Sequence, residues 1–204
     1  MSPQLYAAFV AATVALILIP GPNVALIVAN SLAHGSRYGL TTVAGTSSAM
    51  VVQLALTALG MTTLLGALAN GFAALRWIGV AYLVYLGIKA WRAPAVDLTK
   101  VRPEARSLRA IYLRGFLVSL TNPKTLLFYG AFLPQFVTPG ASLAGQLALL
   151  CATFLVVAIV LDGAWALLAA QFGTALAVNG RLRNRLTGAL LLGAGVGLAF
   201  ARKS

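Results

Sequence analysis

The sequence predicts an all-α integral membrane protein with six transmembrane helices. Hydrophobic residues make up 60% of the chain and charged residues only 9%, whereas a soluble domain carries about 25% charged residues. No charged side chain occurs before Arg37, between Arg37 and Arg76, or between Lys124 and Asp162. These stretches exceed the roughly 20 apolar residues that a helix needs to cross a bilayer.

The first predicted span covers residues 5–29 and is interrupted at residues 20–23, Pro-Gly-Pro-Asn. Proline lacks an N–H and clashes with the carbonyl one turn earlier. In lipid, a discontinuous helix is tolerated only where its backbone is buried in protein or lines a cavity. The break therefore predicts a polar interior around Gly21, Pro22 and Asn23.

A polar turn is expected at residues 31–37, with His34 as a solvated loop residue rather than a proton relay. The second span, residues 39–65, begins with small and hydroxyl side chains, which let helices approach closely in lipid. The third span, residues 75–90, has a tryptophan near each end, as expected of interfacial aromatic residues.

The second half of the chain shows the same organisation. The fourth span, residues 111–136, is broken at residues 122–124, Asn-Pro-Lys. The fifth span, residues 143–172, carries Asp162, and the sixth covers residues 186–200. Two glycines four residues apart in the sixth span indicate close packing within the bundle, with a homodimer face as the alternative.

Three spans in each half predict two inverted repeats. Residues 1–92 form the first repeat, residues 93–109 a basic cytoplasmic linker, and residues 110–204 the second repeat. Because three is an odd number, the second half enters the membrane from the opposite side, as in many secondary transporters. Eleven lysines and arginines lie on the linker side, so the positive-inside rule places both termini outside.

Five stretches carry a family resemblance: residues 20–23 (PGPN), 78–87 (IGVAYLVYLG), 115–117 (GFL), 122–124 (NPK) and 132–136 (FLPQF). They resemble the LysE/RhtB family of amino-acid exporters, in the same order and over nearly the whole chain. The resemblance implies a multi-pass carrier of the bacterial inner membrane. Such carriers expel amino acids such as lysine, homoserine, threonine or leucine, driven by the proton or membrane-potential gradient.

The two breaks can serve a zwitterionic substrate. Carbonyl groups freed near Leu16, Leu18 and Ser119 can accept from an ammonium group, and the N-terminal ends of the restarted helices can hold a carboxylate. The alternative is that the prolines only kink the spans and the asparagines only cap them. The predicted substrate-binding residues are Gly21, Pro22, Asn23, Asn122, Pro123 and Lys124.

Lys124 and Asp162 are the charged residues predicted inside the membrane, where an ionisable group is a functional hypothesis by default. Asp162 is the predicted proton-coupling residue, with the proton as coupling ion. Lys124 can attract the substrate carboxylate, and a purely structural ion pair with Asp162 is the alternative.

Other classes of function fit the sequence less well. One histidine, one cysteine and one buried aspartate provide no catalytic constellation and no metal or cofactor site, so we expect no enzyme. The net charge of +12 follows from basic residues beside the spans, so we expect no nucleic-acid partner. Two alternatives stay open: an exporter of another small solute or cation, and a membrane scaffold without transport activity.

Overall fold

The computed structural model describes residues 1–67, 81, 84–85, 88, 91–92, 107–138 and 142–178. These residues form six α-helices and one 3-10 helix and contain no strand, which confirms the all-helical prediction for this part of the chain. The helices are α1 (Pro3–Leu18), α2 (Pro22–His34), α3 (Ser36–Ala67), α4 (Leu108–Leu120), α5 (Pro123–Ala131), the 3-10 helix (Leu133–Phe136) and α6 (Leu143–Val178).

Two stretches, Ser36–Met61 and Leu143–Gln171, are long and apolar enough to cross a membrane, and α1 with α2 makes a third if the bent pair is one span. The predicted sixth span, most of the predicted third span and nearly all of the linker lie outside the described residues. The glycine pair of the sixth span lies outside them too. The six-span count and the inverted repeat therefore stay predictions.

The first proline motif separates α1 from α2. Helix α1 ends at Leu18, α2 begins at Pro22, and the two helices are bent by 53°. A proline at the first helical position is tolerated because its missing N–H would have no partner inside the helix there. The chain therefore restarts as a helix directly after the break.

The second proline motif separates α4 from α5 in the same way. Helix α4 ends at Leu120 and α5 begins at Pro123. The side chain of Asn122 caps α5 by accepting a hydrogen bond from the backbone N–H of Lys124 at 3.1 Å. The end of the predicted fourth span is a separate 3-10 helix.

The prediction of a polar turn over residues 31–37 is wrong in its extent. Helix α2 continues through Ser31 to His34, and the chain turns only at Gly35, whose φ of 86° favours a residue without a Cβ. Ser31 is buried, and His34 is half-buried rather than solvated. Residues 31–34 therefore belong to a helix rather than to a loop, and Arg37 is exposed in the first turn of α3.

Glycines set the distance between α3 and α4, the most extensive helix pair in the described region. A Cβ built on Gly45 would overlap the backbone carbonyl of Tyr112, and one on Gly115 would lie 2.8 Å from the carbonyl oxygen of Thr42. The two backbones therefore touch, as small residues permit in lipid. This contact holds the second break against α3.

Aromatic side chains fill the core between α1, α5, the 3-10 helix and α6. Their rings contact one another at centroid distances of 4.3 to 6.4 Å. All pairs except the closest, Phe128–Phe132, lie within the range of about 4.5–7 Å that is typical of favourable aromatic pairs. The cluster consists of Phe9, Phe128, Tyr129, Phe132, Phe136 and Phe154. It packs the protein beside the two breaks.

Candidate functional site

A cavity of about 20 Å³ lies where the two breaks meet. Its volume is close to that of a single water molecule. Residues from both breaks and from α6 line it together, although they are far apart in the sequence. Five of the seven predicted site residues are among them: Gly21, Asn23, Asn122, Lys124 and Asp162. The other two, Pro22 and Pro123, start the helices that present these side chains.

The asparagines of the two breaks are hydrogen-bonded to each other. Asn122 donates from Nδ2 to Oδ1 of Asn23 at 3.1 Å, and Asn23 donates from Nδ2 to Oγ of Ser119 at 3.1 Å. All three side chains are buried. Asn122 thus caps its own helix and also bridges to the other break, whereas the α2 N-cap is Gly21 and makes no side-chain bond.

The protein's own donors occupy carbonyl groups at both breaks. Lys124 donates from Nζ to the carbonyl oxygen of Ile19 at 2.7 Å. Gln53 donates from Nε2 to the carbonyl oxygens of Ser119 and Leu120, both at 3.0 Å. The sequence placed a freed carbonyl near Ser119, but it did not single out Gln53. Gln53 could have been found in the sequence as a lone glutamine inside an apolar span, because a buried amide needs hydrogen-bond partners.

Asp162 brings a carboxylate to the cavity from α6. Its side chain is 2% exposed, and Lys124 lines the same cavity. Within the described part of the chain, Oδ1 has no hydrogen-bond partner. An unpaired buried acceptor is costly and calls for an explanation. A ligand or a proton bound at this oxygen would supply one.

Two hydroxyl groups near this region were not predicted. Tyr129 packs against Phe154 of α6, with the two ring centroids 4.9 Å apart. Its hydroxyl and that of Thr13 on α1 are both buried and lack hydrogen-bond partners in the region the structure describes. Each stands in an apolar stretch of sequence, so only the fold reveals that it is buried without a partner.

Comparison with known proteins identifies the family. The family model described as LysE type translocator matches residues 14–202. The chain belongs to the LysE family. The resemblance inferred from the five sequence stretches is therefore confirmed.

Relatives in this family include named efflux proteins. The homoserine/homoserine lactone efflux protein of Salmonella typhimurium is 31% identical over 205 residues, 99% of this chain and 99% of the relative. The leucine efflux protein of Klebsiella pneumoniae is 33% identical over 141 residues, 69% of this chain and 66% of the relative. An uncharacterized membrane protein of Vibrio cholerae is 30% identical over 204 residues, 99% of this chain and all of the relative. No solved structure matches.

The hydrogen bond between Asn23 and Asn122 leads to a testable prediction for this LysE-family chain. We expect Asn23→Ala and Asn122→Ala each to destabilise the folded protein by about 1–3 kcal/mol, because each leaves buried partners without a hydrogen bond. Since the residues are bonded to each other, the double variant should lose less than the sum of the single losses. Thermal unfolding in detergent measures the three values.

The neighbouring Thr121→Ala variant is the matched control. Its hydroxyl is exposed and bonds only within α4, to the carbonyl oxygen of Leu117, so we expect little change in stability. Strictly additive losses from Asn23→Ala and Asn122→Ala would show that the two amides do not act as a pair.

Proposed function

We propose that this chain exports amino acids or close derivatives across the bacterial inner membrane. The observation that carries the proposal is the meeting of two helix breaks, one lysine and one aspartate around a single cavity. The names of the Salmonella and Klebsiella relatives support the class of substrate. Export rather than uptake follows from the same relatives.

The two charged side chains match the two ends of an amino acid. Lys124 is bonded to the carbonyl oxygen of Ile19, and we propose that it exchanges this partner for the substrate carboxylate. Asp162, whose Oδ1 lacks a partner in the described region, accepts the substrate ammonium group. The two asparagines hold the breaks together beside them. A simple cation would fit less well, because Lys124 would repel it.

Substrate binding requires the helices around the cavity to separate. A volume of about 20 Å³ holds one water, whereas ligand pockets commonly measure about 300–1,000 Å³. We therefore assign the structure to a closed state of an alternating-access cycle. In that cycle, residues 1–92 and 110–204 act as inverted repeats, and α1–α2 and α4–α5 are each one broken span.

Coupling to a proton and the orientation in the membrane belong to the same proposal. Asp162 binds the proton in one state and the substrate in another. The basic linker at residues 93–109 faces the cytoplasm, and both termini face outward. We propose that the protein works as a carrier and not as an enzyme. Its functional unit is a single subunit, with a homodimer as the alternative.

Efflux from proteoliposomes tests the proposed function. Vesicles preloaded with radiolabelled homoserine, leucine or lysine should release at least one of them faster when they contain the protein than when they contain none. The Lys124→Met variant is expected to lose this release, because it removes the group that would bind the carboxylate. If protein-containing vesicles release none of these amino acids faster than empty ones, the proposal is overturned.

A further inference from the structure

One face of α2 carries a polar side chain at the cavity and two more near the end of the helix. Asn23, Asn30 and His34 are spaced by seven and four residues, so they lie on one helix face, with the apolar Ile27 between the first two. With a rise of about 1.5 Å per residue, Asn30 lies about 10 Å and His34 about 16 Å along the axis from Asn23. Ser31 lies beside them. A second group of polar side chains therefore lies away from the cavity, towards the start of α3.

The middle of this face holds a buried amide with an unused acceptor. Asn30 is 0% exposed and donates from Nδ2 to Oγ1 of Thr42 at 2.8 Å. Thr42 in turn donates to the carbonyl oxygen of Tyr38 at 2.9 Å. Oδ1 of Asn30 has no hydrogen-bond partner among the described residues. The amide is therefore held in position by its nitrogen while its oxygen is left for another donor.

Two neighbouring groups have the same property. Oγ of Ser31 and Nε2 of His34 are buried atoms without a hydrogen-bond partner in the described ranges. Gly39 lies directly against this hydroxyl, since a Cβ at residue 39 would overlap the Ser31 oxygen. A carbonyl oxygen, a hydroxyl and a ring nitrogen can all accept from N–H donors. A ligand with several N–H donors would therefore be complementary to this cluster.

The helix that carries this face is a short unit between two glycines. Helix α2 has 13 residues, with Gly21 as N-cap and Gly35 as C-cap. Glycine permits backbone rotation that other residues resist, and hinges are commonly a few residues at the ends of elements. A small rotation of α2 against α3 can therefore open the Asn30–Thr42 contact without unfolding either helix.

We propose that Asn30 and Ser31, with Thr42 behind them, form a second binding station for a primary ammonium group, between the cavity and the end of α2. The substrate ammonium occupies this station on its way between the cavity and the basic side of the protein. The inference rests on the proposed function, because it takes the transported amino acid as the ligand. The station is separate from Lys124 and Asp162, so its variants leave the cavity intact.

Thiol labelling tests whether the station admits an ammonium group. In a Cys151→Ser background, Asn30→Cys should react with the cationic reagent 2-aminoethyl methanethiosulfonate. Whichever of homoserine, leucine and lysine the parent protein releases fastest should slow the reaction about threefold at about twice its Kd for this variant, because it then occupies two-thirds of the sites. Val28→Cys is the matched control: Val28 is also buried in α2 but lies on the opposite face, and it should not react. Equal reaction at both positions, or no protection by that amino acid, would contradict the proposed station.

Transport separates this inference from the proposed function. Asn30→Leu should still bind the amino acid in the intact cavity but release it several-fold more slowly, since the second station is lost. Thr41→Val, whose hydroxyl bonds within its own helix to the carbonyl oxygen of Arg37, should behave like the parent protein. Unchanged efflux by a folded Asn30→Leu protein refutes the station alone. Absent efflux by the parent protein refutes the proposed function, whatever the labelling shows.

Discussion

Asp162→Asn is expected to reduce proton-driven homoserine efflux to the level of vesicles without protein. Asparagine keeps the size and hydrogen-bonding capacity of the side chain but cannot bind and release a proton at this position. Because Lys124 and the two asparagines remain in place, homoserine exchange without an imposed gradient should persist in part. We would measure efflux driven by a pH gradient and exchange at equal pH on the same vesicles. The comparison separates the loss of proton coupling from the loss of substrate binding.

Two further variants distinguish proton coupling from a structural role of Asp162. Asp162→Glu retains a titratable carboxyl and should keep part of the proton-driven efflux. If Asp162 only forms an ion pair, Lys124→Met and Asp162→Asn should instead cause matching losses of stability, and the double variant should lose no more than either one. Proton-driven accumulation by Asp162→Asn would contradict the assigned role.

Gly45→Ala is expected to be one of the most destabilising single-methyl changes in the described region. The added Cβ would overlap the carbonyl oxygen of Tyr112 and lie 3.0 Å from the backbone nitrogen of Phe116. Because both atoms belong to the α4 backbone, a side-chain rotation cannot relieve the overlap, and α3 and α4 must separate. Overpacking of this kind costs about 1–3 kcal/mol. The thermal unfolding midpoint in detergent should fall accordingly.

Gly130→Ala in α5 is the matched control. Gly130 is exposed, and a Cβ at this position meets no atom within 4 Å among the described residues. Alanine is also the better helix former by up to about 1 kcal/mol. The same chemical change should therefore leave the unfolding midpoint unchanged or raise it. Equal effects at Gly45 and Gly130 would show that the backbone contact between α3 and α4 does not control stability.

Local chemistry explains which parts of the site could be predicted. Proline interrupts a helix through its own ring and its missing N–H, so the sequence alone located the ends of α1 and α4. It also identified Lys124 and Asp162, because a charge in an apolar stretch is conspicuous. The same reasoning failed at residues 31–34, where the polar side chains of a helix end look the same in sequence as those of a solvated turn.

Partners across the fold could not be predicted, because they depend on how the helices pack. Lys124 reaches the carbonyl oxygen of Ile19 across 105 residues of chain, and Gln53 reaches that of Ser119 across 66. Either side chain can bond any acceptor within reach. These particular carbonyl oxygens are selected by the packing of the helices, through the glycine contact between α3 and α4 and the bend between α1 and α2. The sequence thus determined that the chain crosses a membrane and where its helices break. The tertiary structure decided which donors occupy the freed carbonyl groups. It also decided which buried acceptors, at Asp162 and Asn30, are left unpaired. Both outcomes depend on distances between helices, which no local sequence pattern encodes.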